Sequence, residues 1–347
     1  MGIQERMTNL TDSGVLLRMA YRAMQNAGID ADQVLTKIGM EKAVLSQPEL
    51  RTPHDAQEWF WQAVEEVSGD PLVGLHLGTH FPIFKGQVLE YLFLSSPTFG
   101  EGLKRAIAYQ RLLSDAANGE LIDQGEQIFL KQVVWSRKLV HLNECASVGI
   151  VKFFSFVTDG AFIPIEVHFT HECGQSDPRE HERVFGCSVR FGMPTGGILF
   201  DRTVMDLPSA HHEPELLQLH ERLASEQIAR LEKQDLVTRV SRLIAELLES
   251  GNANLEEVAA RLGIKPRQLR TRLADAGTNF NQLVAEYRCK LAKRLLAGTE
   301  ETIDEIVYLT GFSEPSTFYR AFKRWVGMTP IEYRKLKAAE DSASKTG

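Results

Sequence analysis

The sequence predicts two domains of different class: an α+β domain of helices packed on an antiparallel sheet, then an all-α domain holding two helix-turn-helix units joined by a long helix. Three observations lead there. The run LEEVAARLGI from Leu255 and the run IDEIVYLTGF from Ile303 align without a gap at an offset of 48 residues. Earlier in the chain, the hydrophobic period changes from that of a helix to that of a strand after Asn118-Gly119. Charge is also divided. The 347 residues carry a net −7, yet residues 252–337 hold 15 Lys and Arg against 10 Asp and Glu, while residues 1–251 hold 23 against 34. A chain of this length favours two or three domains.

Taken in order, VLLRMAYRAMQNAG repeats apolar residues every three or four positions and stops at Gly28, and Pro53-His54-Asp55 opens the helix AQEWFWQAVEEVSG. Ser96-Pro97-Thr98 caps a helix through LKRAIAYQRLL. LIDQGEQIFLKQVVW then reads as two strands around a turn at Gly125. A helix follows (LNECASVGIVKFFSFVTDG), then the strand IPIEVHFTH, a short helix begun by Asp177-Pro178, and the strands CSVRFG and GGILFD. The order ββαβαββ predicts an antiparallel sheet with helices on it. From Glu213 to Glu249 the chain is strongly helical, with a break expected at Gln234-Asp235. Leu236, Val240, Leu243, Ile244 and Leu247 share one face, assigned to the first helix of the second domain. In the preceding stretch, Leu216, Leu219, Leu223, Ile228 and Leu231 either join two subunits or pack on their own domain.

In the first repeat, Ala259 is small where two helices cross and Gly263 supplies the positive φ of a tight turn. Pro266 sits in the first turn of the next helix, where a missing N–H does no harm. Leu269 and Leu273 face inward, so Lys265, Arg267, Gln268, Arg270, Thr271 and Arg272 face outward. Arginine and glutamine make bidentate contacts to guanine and adenine edges in the major groove, and the basic balance of this half suits phosphate. The second repeat has one more residue in its turn and presents Pro315, Ser316, Thr317, Arg320 and Lys323. Between the repeats, FNQLVAEYRCKLAKRLLAG fixes the distance between the two reading helices, with Arg288, Lys290, Lys293 and Arg294 as phosphate candidates. Two rigidly spaced units predict successive major-groove contacts about one DNA turn, roughly 34 Å, apart.

These residues carry a family resemblance. Residues 236–337 resemble the DNA-binding domain of the AraC/XylS family of bacterial transcription regulators through Ile303 to Ile306, Gly311-Phe312-Ser313, Ser316, Phe318, Arg320 to Trp325, Gly327, Thr329-Pro330 and Tyr333-Arg334. The resemblance implies that the second helix of each unit enters the major groove, which falls here on Arg267, Arg270 and Thr271 and on Pro315, Ser316 and Arg320. Two positions depart from the family's habit. Val307 stands where alanine is usual, and Thr271 stands where arginine is frequent.

Residues 20–210 resemble the arabinose-binding-like sensor domain of ornithine-utilisation-type regulators. The matching pieces are DPLVGLHLG, LSSPTFGEGLKRAIAY and HERVFGCSVRFG. The implied organisation is an effector-sensing and dimerisation domain (1–212), a helical linker (213–235), the DNA-binding domain (236–337) and a disordered polar tail (338–347). The implied partners are double-stranded promoter DNA, a small-molecule effector, RNA polymerase and a second copy of the chain. Lys85, Tyr109, Arg111 and Trp135, polar or aromatic groups near apolar runs, are the candidate effector contacts.

Other chemistry finds little support in the sequence. His76 and His80 stand four apart, but Gly74 and Gly78 argue against a firm helix there. His168 and His171 differ by an odd number and would leave a strand on opposite faces, so no metal or other cofactor is expected. A DNA-repair enzyme on the same scaffold would need four closely spaced cysteines, whereas Cys145, Cys173, Cys187 and Cys289 lie 28, 14 and 102 apart. No nucleophile elbow, phosphate loop or HExxH motif is present. Neither a signal peptide nor a membrane span is expected, which predicts a cytoplasmic protein with reduced thiols.

Overall fold

The computed structural model describes residues 10–83, 87–132, 138–173, 177–249 and 253–344. Contacts along the chain divide it into Met1–Ile228 and Ala229–Gly347.

In the first unit, β1 (Thr11–Ser13) pairs antiparallel with β2 (Arg51–Pro53). Between and after them lie α1 (Gly14–Asn26), α2 (Ala31–Lys37), α3 (Ala56–Ser68) and α4 (Val73–His80). This small ribbon has no sequence signature, because three residues are too few to show a period. The four helices enclose a core of Met24, Val34, Trp61, Val64 and Leu77. Next come α5 (Val88–Leu94) and α6 (Phe99–Ala108), the latter capped by Thr98, whose hydroxyl accepts from the Glu101 N–H at 3.2 Å.

The sheet begins with β3 (Glu120–Asp123) and β4 (Gln127–Gln132), joined through Gly125 at φ +87. There follow α7 (Val140–Val157), β5 (Pro164–His168), α8 (Pro178–Phe185), β6 (Ser188–Arg190) and β7 (Gly196–Asp201). The strand order is β3-β4-β7-β5-β6. One pair departs from the expected antiparallel sheet: β5 and β6 run parallel, because α8 carries the chain back across as a β-α-β crossover. Phe99, Phe154, Phe162, Ile198 and Phe200 form the core beneath the sheet.

Two sequence expectations are corrected here. Gly74 and Gly78 do not weaken α4 enough to prevent it; they let it press against α7. A Cβ on Gly74 would stand 2.3 Å from the His141 Cα, and one on Gly78 2.7 Å from the Val148 Cβ. The packing gained over the helix offsets a propensity cost of about 1 kcal/mol per glycine. Contrary to expectation, α7 is by length and composition apolar enough to cross a membrane. Its apolar surface is used inside the unit instead: Val148 and Phe154 enter the sheet core, and Cys145 enters the helical core.

The expected break at Gln234-Asp235 is absent, and α9 is one helix over Pro214–Glu249. Neither residue is a helix breaker of the kind glycine and proline are. Its first part packs on the first unit through Leu217 and Ala224, with Arg105 bonded to Glu221 at 2.9 Å. The leucines singled out in the sequence, Leu216, Leu219 and Leu223, lie outward and exposed.

The second unit holds the end of α9 and six further helices: α10 (Leu255–Arg261), α11 (Pro266–Asp275), α12 (Phe280–Gly298), α13 (Ile303–Leu309), α14 (Pro315–Val326) and α15 (Pro330–Ser344). Residues 338–344, expected to be disordered, continue α15 as helix. The two helix-turn-helix units have separate cores. The first is aliphatic, with Val240, Ile244, Val258, Leu269 and Leu273 fully buried. The second is aromatic, with Phe318 and Phe322 at its centre.

Candidate DNA interface and sensor cavity

Each helix-turn-helix is set by its caps and its turn. Asn254 caps α10 by accepting the Glu257 N–H at 2.8 Å, and Thr302 with Glu305 forms a reciprocal box at the start of α13. The turns pass through Gly263 at φ +68 and Gly311 at φ +74. A side chain at either position would be strained.

With Leu269 and Leu273 fully buried, the remaining face of α11 is solvent-exposed at Lys265, Arg267, Gln268, Arg270, Thr271 and Arg272. The six are not equivalent. Among the described residues, Arg267 and Arg272 have no acidic partner. Arg270 stands 3.8 Å from Glu256, an exposed pair that contributes little. The Gln268 Oε1 accepts the Lys265 N–H at 3.1 Å and so helps to cap α11. The Thr271 hydroxyl donates back to the Arg267 carbonyl at 3.2 Å. The first helical turn thus leaves Arg267 as the long donor with least internal engagement.

On α14, Pro315, Ser316, Thr317, Arg320 and Lys323 are likewise exposed. Arg320 leans on its own helix, with Nε 3.4 Å from the Ser316 carbonyl. Val307 is buried in the second core, 4% exposed, so the larger side chain is accommodated within the packing of α13. Arg288, a phosphate candidate by sequence, is half-buried on α12. Its Nη2 donates to the Gly311 carbonyl at 2.9 Å, and its guanidinium lies 4.6 Å from the Phe312 ring centroid. Burial pushes its pKa down from the usual arginine value. Arg288 therefore ties α12 to the second turn, while Lys290 and Arg294 remain exposed.

The first unit contains a cavity of about 720 Å³. It lies between the helical core and the sheet core, because its walls draw Trp61 from the one and Phe93, Leu130 and Phe154 from the other. One face of α7 lines it with Ala146, Gly149, Ile150 and Phe153, at helical spacing. This second apolar face explains the membrane-like composition of α7.

Two of the four sequence candidates for effector contact fall elsewhere. Tyr109 and Arg111 are not on the cavity wall: the Tyr109 hydroxyl is 2.8 Å from the Ser225 Oγ, and the Arg111 Nε donates to Asp115 at 2.8 Å. Their neighbours Gln110 and Leu113 face the cavity instead. Lys85 and Trp135 lie outside the described residues. Most of the wall residues are apolar groups that sequence cannot separate from an ordinary core. The one local signal was the pair of small residues, Ala146 and Gly149, in an otherwise bulky apolar helix.

The histidines noted in the sequence are taken up separately. His76 sits between Asp70 and Glu180, at 2.6 and 3.0 Å. His168 bonds Glu166 at 2.8 Å. His171 joins His181 on the buried carboxylate of Glu144, at 3.2 and 2.9 Å. Burial pushes the Glu144 carboxyl up, but these two hydrogen bonds outweigh it and hold its pKa below the usual carboxylate range.

A double helix-turn-helix with a basic outward reading helix, preceded by an α+β domain with a ligand-sized cavity, defines a class: a DNA-binding regulator with a sensor. Residues 28–209 match the family described as the arabinose-binding domain of AraC transcription regulators, N-terminal, and residues 238–336 match a helix-turn-helix domain family. The chain belongs to the AraC family and is a DNA-binding transcription regulator with an N-terminal ligand-binding domain.

The ornithine utilization regulator of Pseudomonas aeruginosa is 27% identical over 314 residues, 89% of this chain and 91% of that protein. The regulator VirS of Mycobacterium tuberculosis is 33% identical over 154 residues, 44% of this chain and 45% of its own. The solved structure of the transcriptional regulator CdpR from Pseudomonas aeruginosa aligns over 91% of this chain and 98% of that one, at 21% identity and a TM-score of 0.45.

Proposed function

We propose that α11 reads bases in a major groove through Arg267 and Arg270, while Lys265, Gln268, Thr271 and Arg272 hold its register on the flanking backbone. The helix α14 docks in the next groove through Pro315, Ser316, Thr317, Arg320 and Lys323. The observation that carries this division is the exposed, acid-free Arg267 at the start of a helix whose opposite face is locked in the core. Arginine offers bidentate donors that match guanine O6 and N7.

In this reading the protein works in the cytoplasm, as a homodimer at promoters where it contacts RNA polymerase. The cavity of the first unit is its effector site, and occupancy changes the engagement of DNA. A cavity of this size lies within the range of about 300–1,000 Å³ typical of small-molecule sites.

The test is a DNA-selection experiment followed by footprinting with the full chain and with Arg267→Ala. Altered base preference confined to one half of the footprint is the expected outcome. Unchanged preference with uniformly weaker binding at fixed salt would reduce Arg267 to a phosphate contact.

A further inference from the structure

The sensor cavity selects a chemical class of ligand. Its walls carry few charged groups among the described residues: Asp12, Glu90 and Lys152, with His54 beside Asp12. Both carboxylates are already engaged. Asp12 accepts from Gln57 Nε2 at 2.7 Å and from the Ser114 hydroxyl, and faces His54 Nδ1 at 3.0 Å. Glu90 accepts the Gln87 N–H at 3.0 Å and caps α5. Lys152 differs, because among the described residues its Nζ bonds only the Thr79 carbonyl. It lines the cavity wall with no acid beside it among the described residues, and burial alone pushes its pKa down. An anion would relieve that cost.

The remaining wall is dominated by aromatic and aliphatic side chains, Trp59, Phe60, Phe81, Ile107 and Phe153 among them. Gly149 opens onto free space, since a Cβ there would meet nothing within 4 Å. Amide and imidazole groups of Gln110, Gln132, Asn143 and His54 also reach the wall, but they are scattered among hydrocarbon, and most polar groups of a sugar or a zwitterionic amino acid would be buried there without partners. Such walls suit a hydrocarbon body.

From the one lysine on the wall among the described residues and the apolar surface around it we infer that the effector is a single-headed amphiphilic carboxylate, with its head group at Lys152 and a hydrocarbon tail along the α7 face of Ala146, Gly149 and Phe153. The inference rests on the reading of this cavity as the effector site, and the two are separable by experiment.

The full chain is titrated with straight-chain alkanoates of increasing length, with 1-alkanols and alkyltrimethylammonium ions of equal length, and with ornithine and arabinose. Thermal shift and calorimetry give the binding; a DNA titration gives the response. Alkanoate affinity should rise about fourfold per methylene until the cavity is filled. Each acid should bind roughly ten- to a hundredfold tighter than the matching alcohol, as a charge-assisted hydrogen bond provides. Lys152→Met should erase that acid preference while leaving the chain-length dependence. Gly149→Phe, or Ala146→Leu where the former does not fold, should weaken the longest acids most.

Equal binding of acid and alcohol, a flat length series, or an acid preference that survives Lys152→Met would overturn the inferred class. Ornithine or arabinose binding that the filling variants abolish, with no binding of alkanoates, would also overturn the class but keep the cavity as the effector site. Alkanoate binding indifferent to both filling variants would remove the cavity itself from that role.

Discussion

The two helix-turn-helix units share a plan and differ in what they are made of. The first closes over leucine, isoleucine and valine and presents Arg267, Arg270 and Arg272. The second closes over Phe312, Phe318, Phe322, Trp325 and Tyr333, with Phe318 and Phe322 ring centroids 5.8 Å apart, and its reading helix offers Arg320 alone in its first two turns. A reading helix needs exposed donors, and an anchoring one needs a stiff base. On the proposed reading the two units divide the work: exposed donors on the first surface, aromatic packing beneath the second.

Four experiments break or sharpen that contrast. The largest effect is expected for Phe318→Ala, which removes a fully buried ring and should destabilise the second unit by about 3–5 kcal/mol; a urea melt of the full chain measures it. A loss under about 1 kcal/mol would mean that the aromatic core is not its foundation. Arg288→Met keeps much of the stem but loses the hydrogen bond to the Gly311 carbonyl, and should cost about 1.5–3 kcal/mol of stability. Its DNA affinity should keep the wild-type dependence on salt, because a lost phosphate contact would lower that slope by about one.

Arg267→Ala is expected to weaken the selected site by about 1–3 kcal/mol and to relax preference at one position. Competition between selected and single-base variant sites reads this out. The smallest change is expected for Arg320→Ala, about 1 kcal/mol or less, confined to the second half of the footprint. A loss equal to that of Arg267→Ala would abolish the proposed division between reader and anchor.

Legibility followed the range of the interactions. The helix starts at Ser13, Thr98, Asp177, Asn254 and Thr302 rest on contacts two or three residues away. The strand Gly196–Asp201 coincides with the run GGILFD, whose boundaries are glycines and an aspartate. By contrast, the parallel pairing of β5 with β6 depends on where α8 lays the chain down. The role of Arg288 depends on a carbonyl 23 residues away. Tyr109 and Gln110 are neighbours, yet only the second faces the cavity, and one residue of helical phase decided it.

The sequence by itself determined the double helix-turn-helix, its two turn glycines, the outward residues of α11 and α14, and the family, because periodicity, caps and charge are written in consecutive residues. Only the tertiary structure decided that α4 and α7 meet at glycines, that Arg288 donates to the Gly311 carbonyl, and that a cavity of about 720 Å³ opens between two cores. Those outcomes come from surfaces brought together over long separations. An apolar residue reads the same in a sequence whether it faces a neighbour or an opening.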